Sequence, residues 1–297
     1  MKCTLCPRVC GTDRASGGIG YCGAGNQLRV ARAALHFWEE PPISGERGSG
    51  TVFFSHCPLQ CVYCQNREIS SGGDGLAITV DRLCDIFFEL KAKGAHNINL
   101  VSPTQYADAI AEAIRMAKEK GIDLPFVYNT SGYERVETLQ SLDGLIDICL
   151  TDFKYMSASL GKKYSGAADY PAVAAAALCE MLRQQPVCSF DGVLMTRGVI
   201  VRHLVLPGQT ADSKDVIDRV SDLCGKRAYL SLMRQYTPPR TCLHPELMRP
   251  ITDGEYDEVV GYAELLGITR LFLQESESVS ESFIPKFDYS GVLPEGE

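Results

Sequence analysis

The chain reads as an α/β protein built on an incomplete barrel of parallel strands, with a cysteine-rich segment ahead of it. Three observations predict this. Beyond residue 50, short apolar runs alternate with helix-length amphipathic stretches, the pattern of repeated β-α units. Polar residues gather just after the apolar runs, where such barrels carry their chemistry. Residues 1–50 are rich in Gly, Cys and Arg and show neither period, so they read as an extended or metal-stapled segment.

The elements follow in order. TVFFS (51–55) predicts the first strand, and Val80, Leu83, Cys84, Ile86, Phe87 and Leu90 fall at helical spacing within a helix over 79–93. NINLVS (97–102) is the second strand, followed by a helix over 104–120 that Gly121 ends. PFVYN (125–129) and IDICLT (146–151) are the third and fourth strands, with a short helix between them and an Ala-rich helix over 171–184 after them. GVIVRHLVL (198–206) is the fifth, a helix spans 212–224, and AYLSLM (228–233) is the sixth. The tail holds a helix over 253–266 and a short strand, LFLQ, at 271–274. Six such units imply right-handed crossovers and a partial TIM barrel, (β/α)6. The expected divisions are a metal-binding segment 1–50, a barrel 51–235 and a C-terminal extension 236–297 packed on it.

The length of 297 residues with 45% hydrophobic content supports a sizeable core. A formal charge of −8 gives no general electrostatic footprint for nucleic acid. Thirteen cysteines, an odd count with several closely spaced, argue for metal ligation in a reducing compartment rather than disulfides. The start, MKCTLCPRVC, has no apolar signal-like region, and no apolar run approaches the roughly 18 residues of a membrane span. A cytoplasmic protein is expected, with neither nucleic acid nor membrane as partner.

The most constraining motif is Cys57, Cys61 and Cys64, a C-x3-C-x2-C run in SHCPLQCVYCQN just after the first strand. A [4Fe–4S] cluster normally takes four cysteine ligands, so a loop offering three leaves one iron open. An open position marks a catalytic metal centre rather than a structural one. The spacing alone also admits a zinc knuckle or a partial electron-transfer site. A zinc site would want a nearby fourth ligand, and His56 is adjacent to Cys57, where two neighbouring residues rarely both reach one ion.

Polar residues follow every later strand: Ser102 and Thr104, then Asn129 and Ser131, then Asp152 and Lys154, then Arg202 and His203 within the fifth, then Arg234 and Gln235. Singly, each could cap the next helix. Together they place a polar rim beyond the cysteine loop.

The cysteine spacing resembles that of the radical S-adenosylmethionine (radical SAM) superfamily. The further run of T-S-G after the third strand, D-F-K after the fourth and V-R-H-L-V-L-P-G resembles the activating enzymes of glycyl radical enzymes, typified by pyruvate formate-lyase activating enzyme, over about residues 50–235. VARAALHFWEEPPISG adds a likeness to activase-like proteins of poorly defined substrate. The resemblance implies that Cys57, Cys61 and Cys64 ligate the cluster, that its open iron chelates S-adenosylmethionine, and that one electron cleaves it to methionine and a 5′-deoxyadenosyl radical. It implies that Tyr63 packs near the adenine. Ser102 and Thr104 stand where the family has a G-G-E motif that meets the amino group. Asn129 and Ser131 face the methionine part or ribose, Asp152 and Lys154 hold the ribose and carboxylate, and Arg202 pairs with a carboxylate. It also implies a flavodoxin- or ferredoxin-type reductant and a glycyl radical enzyme as partner. The sequence departs from the family in two places: V-S-P-T-Q replaces the glycine-rich turn, and Asn129 stands where Asp is common. Two rival readings are a radical SAM enzyme acting on a small molecule or peptide, and an iron–sulfur electron-transfer protein.

Cys3, Cys6, Cys10 and Cys22 form C-x2-C-x3-C-x11-C with glycines for tight turns, enough for a zinc ion or a second [4Fe–4S] cluster. Cys84, Cys149 and Cys179 are expected on apolar faces as small hydrophobes, and Cys242 in core or surface. Trp38 is expected to pack its segment onto the barrel, and Glu39 and Glu40 to be solvated.

Overall fold

The computed structural model describes residues 2–239, 243–274 and 285–294. Cys242 lies outside these. The first strand, β1 (Leu28–His36), runs antiparallel to β2 (Ser49–Phe54), with a short helix α1 (Pro41–Ser44) between them. The cysteine loop and α2 (Arg67–Ser70) lead to β3 (Leu76–Ile78), which pairs with the other edge of β1. Then come α3 (Val80–Ala92), β4 (Ile98–Val101), α4 (Ala107–Glu119), β5 (Phe126–Thr130), α5 (Val136–Ser141) and β6 (Ile148–Asp152). Helices α6 (Ala158–Ser165) and α7 (Tyr170–Gln184) precede the hairpin β7 (Ser189–Asp191) and β8 (Leu194–Leu204). The chain continues through α8 (Thr210–Cys224), β9 (Tyr229–Met233), α9 (Asp253–Leu265) and β10 (Leu271–Leu273).

The sheet order is β10-β9-β8-β6-β5-β4-β2-β1-β3. From β2 to β10 every neighbouring pair is parallel, and the strands follow one another in chain order. This is the expected partial barrel, extended at one edge by antiparallel β1 and β3. The boundary expected at residue 50 falls inside the β1–β2 hairpin, so residues 28–36 belong to the sheet. The C-terminal residues return to the same hairpin: the Ala33 N–H donates to Ser290 O at 2.8 Å and the Tyr289 N–H to Ala31 O at 3.0 Å. No helix among the described residues is long and apolar enough to cross a membrane.

Alternation along the strands sorts side chains into two layers. Phe126 and Tyr128 of β5, Cys149 of β6 and Val199 and Val201 of β8 face the helices and join the main core. Val127, Ile148, Leu150 and Ile200 face inward and pack with Ile43 of α1. Further along the same inward rows lie Asn129, Asp152 and Arg202, and register pairs Asp152 with Arg202. The barrel interior is thus apolar at its base and polar at the carboxyl end. Among the other cysteines, Cys84 and Cys149 are buried, but Cys179 is exposed. Its helix is so rich in alanine that both faces look apolar in sequence.

Candidate metal and cofactor site

The strand β2 is buried throughout and delivers the chain directly into the cysteine loop. His56 and Gln60 there adopt left-handed φ angles of 72° and 51°, and Ser102 at the end of β4 one of 56°. Non-glycine residues rarely hold this conformation, and they do so where surrounding structure demands it. The loop is held from several sides. Gln105 Nε2 donates to Ser55 O at 2.9 Å, His56 O at 3.1 Å and Ser102 O at 2.8 Å, tying the loop to β4. The Val62 N–H donates to Tyr164 O at 2.9 Å, and Arg8 Nε to Pro58 O at 3.0 Å.

The three sulfurs each accept hydrogen bonds. Cys57 takes backbone N–H groups of Leu59 and Gln60, and Cys64 that of Asn66. The Ser70 hydroxyl donates to Cys64 Sγ at 3.3 Å and the Ser165 hydroxyl to Cys61 Sγ at 3.1 Å. Burial and the neighbouring thiols push Cys57 up to about 12, and burial likewise raises Cys64. Such thiols need a cation to ionise, which a metal supplies.

One cleft, about 1190 Å³ counting its open mouth, joins these thiols to the strand ends. Cys57, Cys61, Tyr63, Cys64, Ser102, Asn129, Ser131, Asp152, Lys154 and Arg202 all line it. Thr104 does not: it is buried and its hydroxyl donates to Glu134 Oε1. The turn at Pro103 carries it over to the helix side of the sheet, where Thr130 and Tyr128 also donate to Glu134. Burial raises that carboxyl to about 7, an effect those hydroxyls reduce.

Lys154 Nζ donates to Asp152 Oδ2 at 2.5 Å. Burial would raise Asp152, but Lys154 and Arg202 hold it below the usual carboxylate range. Burial opposes the charge on Lys154, yet Asp152, Cys61 and Cys64 keep it protonated. Arg202 bonds through each of its three nitrogens, Nε to Asp152 Oδ1 at 3.1 Å, Nη1 to Glu39 Oε2 at 3.0 Å and Nη2 to Asn129 Oδ1 at 2.6 Å. His203 points the other way, between Phe153 O and Ser213, and burial lowers it to about 4.

Glu39 and Glu40 are not solvated, contrary to expectation. The turn after β1 inserts Glu39 into the barrel, where Asn99 and Asn129 donate to Oε1 at 2.9 and 3.1 Å. Glu40 is buried beside it with Oε2 lacking a hydrogen-bond partner, and burial raises its carboxyl. Trp38 lies at the cleft wall, half exposed, rather than packed into the core. Gln65 and Gln235 also line the cleft, Gln65 Nε2 bonding to Gln235 O. Only the position of Gln235 after a strand hinted at this.

Tyr63 is buried under the loop. Its hydroxyl meets that of Tyr155 at 2.6 Å, and Tyr155 meets Ser165 Oγ at 2.9 Å, so a hydroxyl chain ends on Cys61. The donor set suits an iron–sulfur cluster: three thiols on one constrained loop, N–H and O–H donors aimed at the sulfurs, and a cationic Lys154 nearby. Among the described residues no three His, Cys, Asp or Glu side chains already stand in the geometry of a single-ion site.

Residues 43–167 match the family model described as a 4Fe-4S single cluster domain. That span contains the Cys57 loop and excludes the N-terminal cysteines. An uncharacterized protein of Methanocaldococcus jannaschii is 24% identical over 283 residues, 91% of this chain and 77% of its own length. The fold is similar to that of methylornithine synthase (PylB), with a TM-score of 0.51 and 13% identity, covering 90% of this chain and 74% of that one. It is similar also to Streptococcus suis SuiB, at a TM-score of 0.50 and 13% identity over 76% of this chain. The chain spans about half the length of SuiB, at 47%. The likenesses establish an incomplete α/β barrel, and the matching family model ties a 4Fe-4S domain to the stretch that bears Cys57, Cys61 and Cys64.

Proposed function

We propose that this protein is a radical SAM enzyme. The observation that carries the reading is the three-thiol loop at the carboxyl end of β2, opening into a polar cleft walled by the ends of β4, β5, β6 and β8. A plain electron carrier needs no such cleft. Cys57, Cys61 and Cys64 would hold a [4Fe–4S] cluster. Bound there, a cluster with one open iron supplies the site for S-adenosylmethionine and the electron that cleaves it to methionine and a 5′-deoxyadenosyl radical.

The chain's own residues bind, orient and shield. Lys154 stabilises thiolate charge on Cys61 and Cys64, and Ser70 and Ser165 donate to those sulfurs. Ser102 and Ser131 offer short polar groups to the amino acid and ribose parts of the ligand, while Asn129, bonded to both Glu39 and Arg202, lines the cleft as part of the same braced wall. Asp152, held ionised, accepts from hydroxyl or ammonium groups. Arg202 serves best as the brace of this wall, since each of its three nitrogens already donates to a protein acceptor.

For the hydrogen donor, the D-F-K and V-R-H-L-V-L-P-G elements favour a backbone glycine of a pyruvate formate-lyase-like partner, with a small molecule or peptide as the rival. Reduction by a flavodoxin- or ferredoxin-type protein, in the cytoplasm, is part of the same proposal.

The test is anaerobic reconstitution with iron and sulfide, reduction, addition of S-adenosylmethionine and quantification of 5′-deoxyadenosine. Product that depends on an intact Cys61, absent in Cys61→Ala, supports the reading. A fully assembled cluster that leaves S-adenosylmethionine whole under strong reductant sinks it and favours electron transfer.

A further inference from the structure

Behind the hydroxyl that donates to Cys61 stands a second hydroxyl, and behind that a third. Ser165 Oγ lies 3.1 Å from Cys61 Sγ, Tyr155 Oη 2.9 Å from Ser165 Oγ, and Tyr63 Oη 2.6 Å from Tyr155 Oη. We propose that these three hydroxyls form a one-way hydrogen-bond relay that raises the reduction potential of the cluster held by Cys61. Ser165 touches the ligand sulfur, and Tyr155 and Tyr63 are positioning residues that act through it. The inference rests on the cluster assigned to Cys57, Cys61 and Cys64 and is independent of what donates the hydrogen atom.

Counting protons fixes the direction. A metal-bound thiolate carries no proton and can only accept. Each hydroxyl has a single proton to donate. The Ser165 proton therefore points at Cys61, the Ser165 oxygen accepts from Tyr155, and the Tyr155 oxygen accepts from Tyr63. Hydroxyls that donate in series polarise one another, so Ser165 becomes a stronger donor to sulfur than an isolated serine. The setting adds to this, since Ser165, Tyr155 and Tyr63 are only 3%, 0% and 5% exposed, and a hydrogen bond gains strength where the local dielectric is low.

The fold holds every link in place. Tyr63 is on the cysteine loop itself, Tyr155 follows β6, and Ser165 ends α6. The Tyr63 ring meets those of Tyr155, Tyr164 and Tyr236 at 6.5, 6.3 and 6.2 Å, and Tyr155 packs edge-on against Tyr170 at 5.3 Å. The main chain beside Ser165 is tied as well: Arg8 Nη2 donates to Ser165 O at 2.8 Å, and the Val62 N–H donates to Tyr164 O at 2.9 Å. Rings packed this closely cannot swing their hydroxyls away without displacing neighbours.

Reduction adds one electron, supplied by the reductant proposed above, and moves no proton along the relay. Part of the added negative charge falls on the sulfurs. A donor to Cys61 Sγ therefore stabilises the reduced state more than the oxidised one.

The test is a potentiometric titration of the reconstituted full-length protein, read by electron paramagnetic resonance of the reduced cluster. Iron and sulfide content verifies that each variant holds one cluster. Ser165→Ala should disfavour reduction about tenfold, a shift of about 59 mV to lower potential for a one-electron couple. Ser165→Thr keeps a hydroxyl and should stay near the wild-type value. Tyr155→Phe and Tyr63→Phe preserve the rings and should shift the potential in the same direction, by up to about threefold and by less than that. A wild-type potential in Ser165→Ala, or wild-type potentials in both phenylalanine variants, would overturn the relay. Should Ser165→Ala fail to hold a cluster, the two phenylalanine variants decide. A wild type that assembles no cluster removes the enzyme reading and the relay with it, so the two failures are told apart.

Discussion

Arg202 Nη1 donates to Glu39 Oε2 at 3.0 Å, with the two side chains only 14% and 9% exposed. A residue from the turn after β1 thus fixes the guanidinium that braces the cleft wall on β8. Breaking a buried pair by removing one partner leaves the other charge uncompensated and costs about 3 kcal/mol or more. Glu39→Ala should lower stability by that order, and Glu39→Gln by less, because an oxygen remains for one donor. Urea unfolding measures both. A loss below about 1 kcal/mol in Glu39→Ala would show that the pair contributes little.

Gly132 explains the T-S-G element after β5. Its φ is 76°, and a Cβ there would collide with the Asp152 carbonyl oxygen. Gly132→Ala therefore strains the backbone and pushes apart the turns that carry Ser131 and Asp152. The expected cost is about 2–3 kcal/mol, with weaker ligand binding by roughly an order of magnitude if the cleft holds S-adenosylmethionine. Calorimetric unfolding and equilibrium binding check the two effects, and an unchanged midpoint would remove the steric argument.

Glu134 gives the protein a pH dependence of predictable sign. Burial raises its carboxyl to about 7 despite bonds from Thr104, Thr130 and Tyr128, and Cys6 and Tyr170 also feel its charge. The native state keeps this proton to higher pH than the unfolded chain does. Its contribution is complete below the ordinary pKa of 4.5 and is lost as pH rises through about 7. The loss is on the order of 3 kcal/mol. Glu134→Gln should flatten stability between about pH 5 and 8. A wild type already flat across that window would contradict the assignment.

Much of the barrel could be read in the sequence because its strands are short apolar runs with clear helices between them. The strand-end positions of Ser102, Asn129, Asp152 and Arg202 followed from parallel topology alone. Three features were hidden for physical reasons. LRVARAALH carries two arginines and is only partly buried, though it pairs antiparallel on both sides, between β2 and β3, so β1 shows no buried-strand run. The pair Glu39 and Glu40 looks like surface charge, and only the fold supplies Arg202, Asn99 and Asn129 to meet it. Thr104 shares a strand end with Ser102, yet the turn at Pro103 turns it to the helix side. Sequence reveals which strand end a residue follows more readily than which layer it faces.

Arg8 offers a test of how the N-terminal segment acts on the cysteine loop, independent of any metal. Its guanidinium lies 4.4 Å from the Tyr21 ring and 5.1 Å from the Tyr133 ring, and it donates to three carbonyls on the loop and on the end of α6. The bonds are charge-assisted but partly solvated, so Arg8→Ala should cost only about 1–2 kcal/mol globally. Its local effect should be larger. With the tether gone, amides of residues 2–25 and of the loop from His56 to Asn66 should exchange with solvent faster, while those of β4, β5 and β6 keep their protection. Faster exchange across all strands would mean a general loss of stability. Unchanged exchange in the loop would mean that the segment rests on the barrel without positioning Cys57.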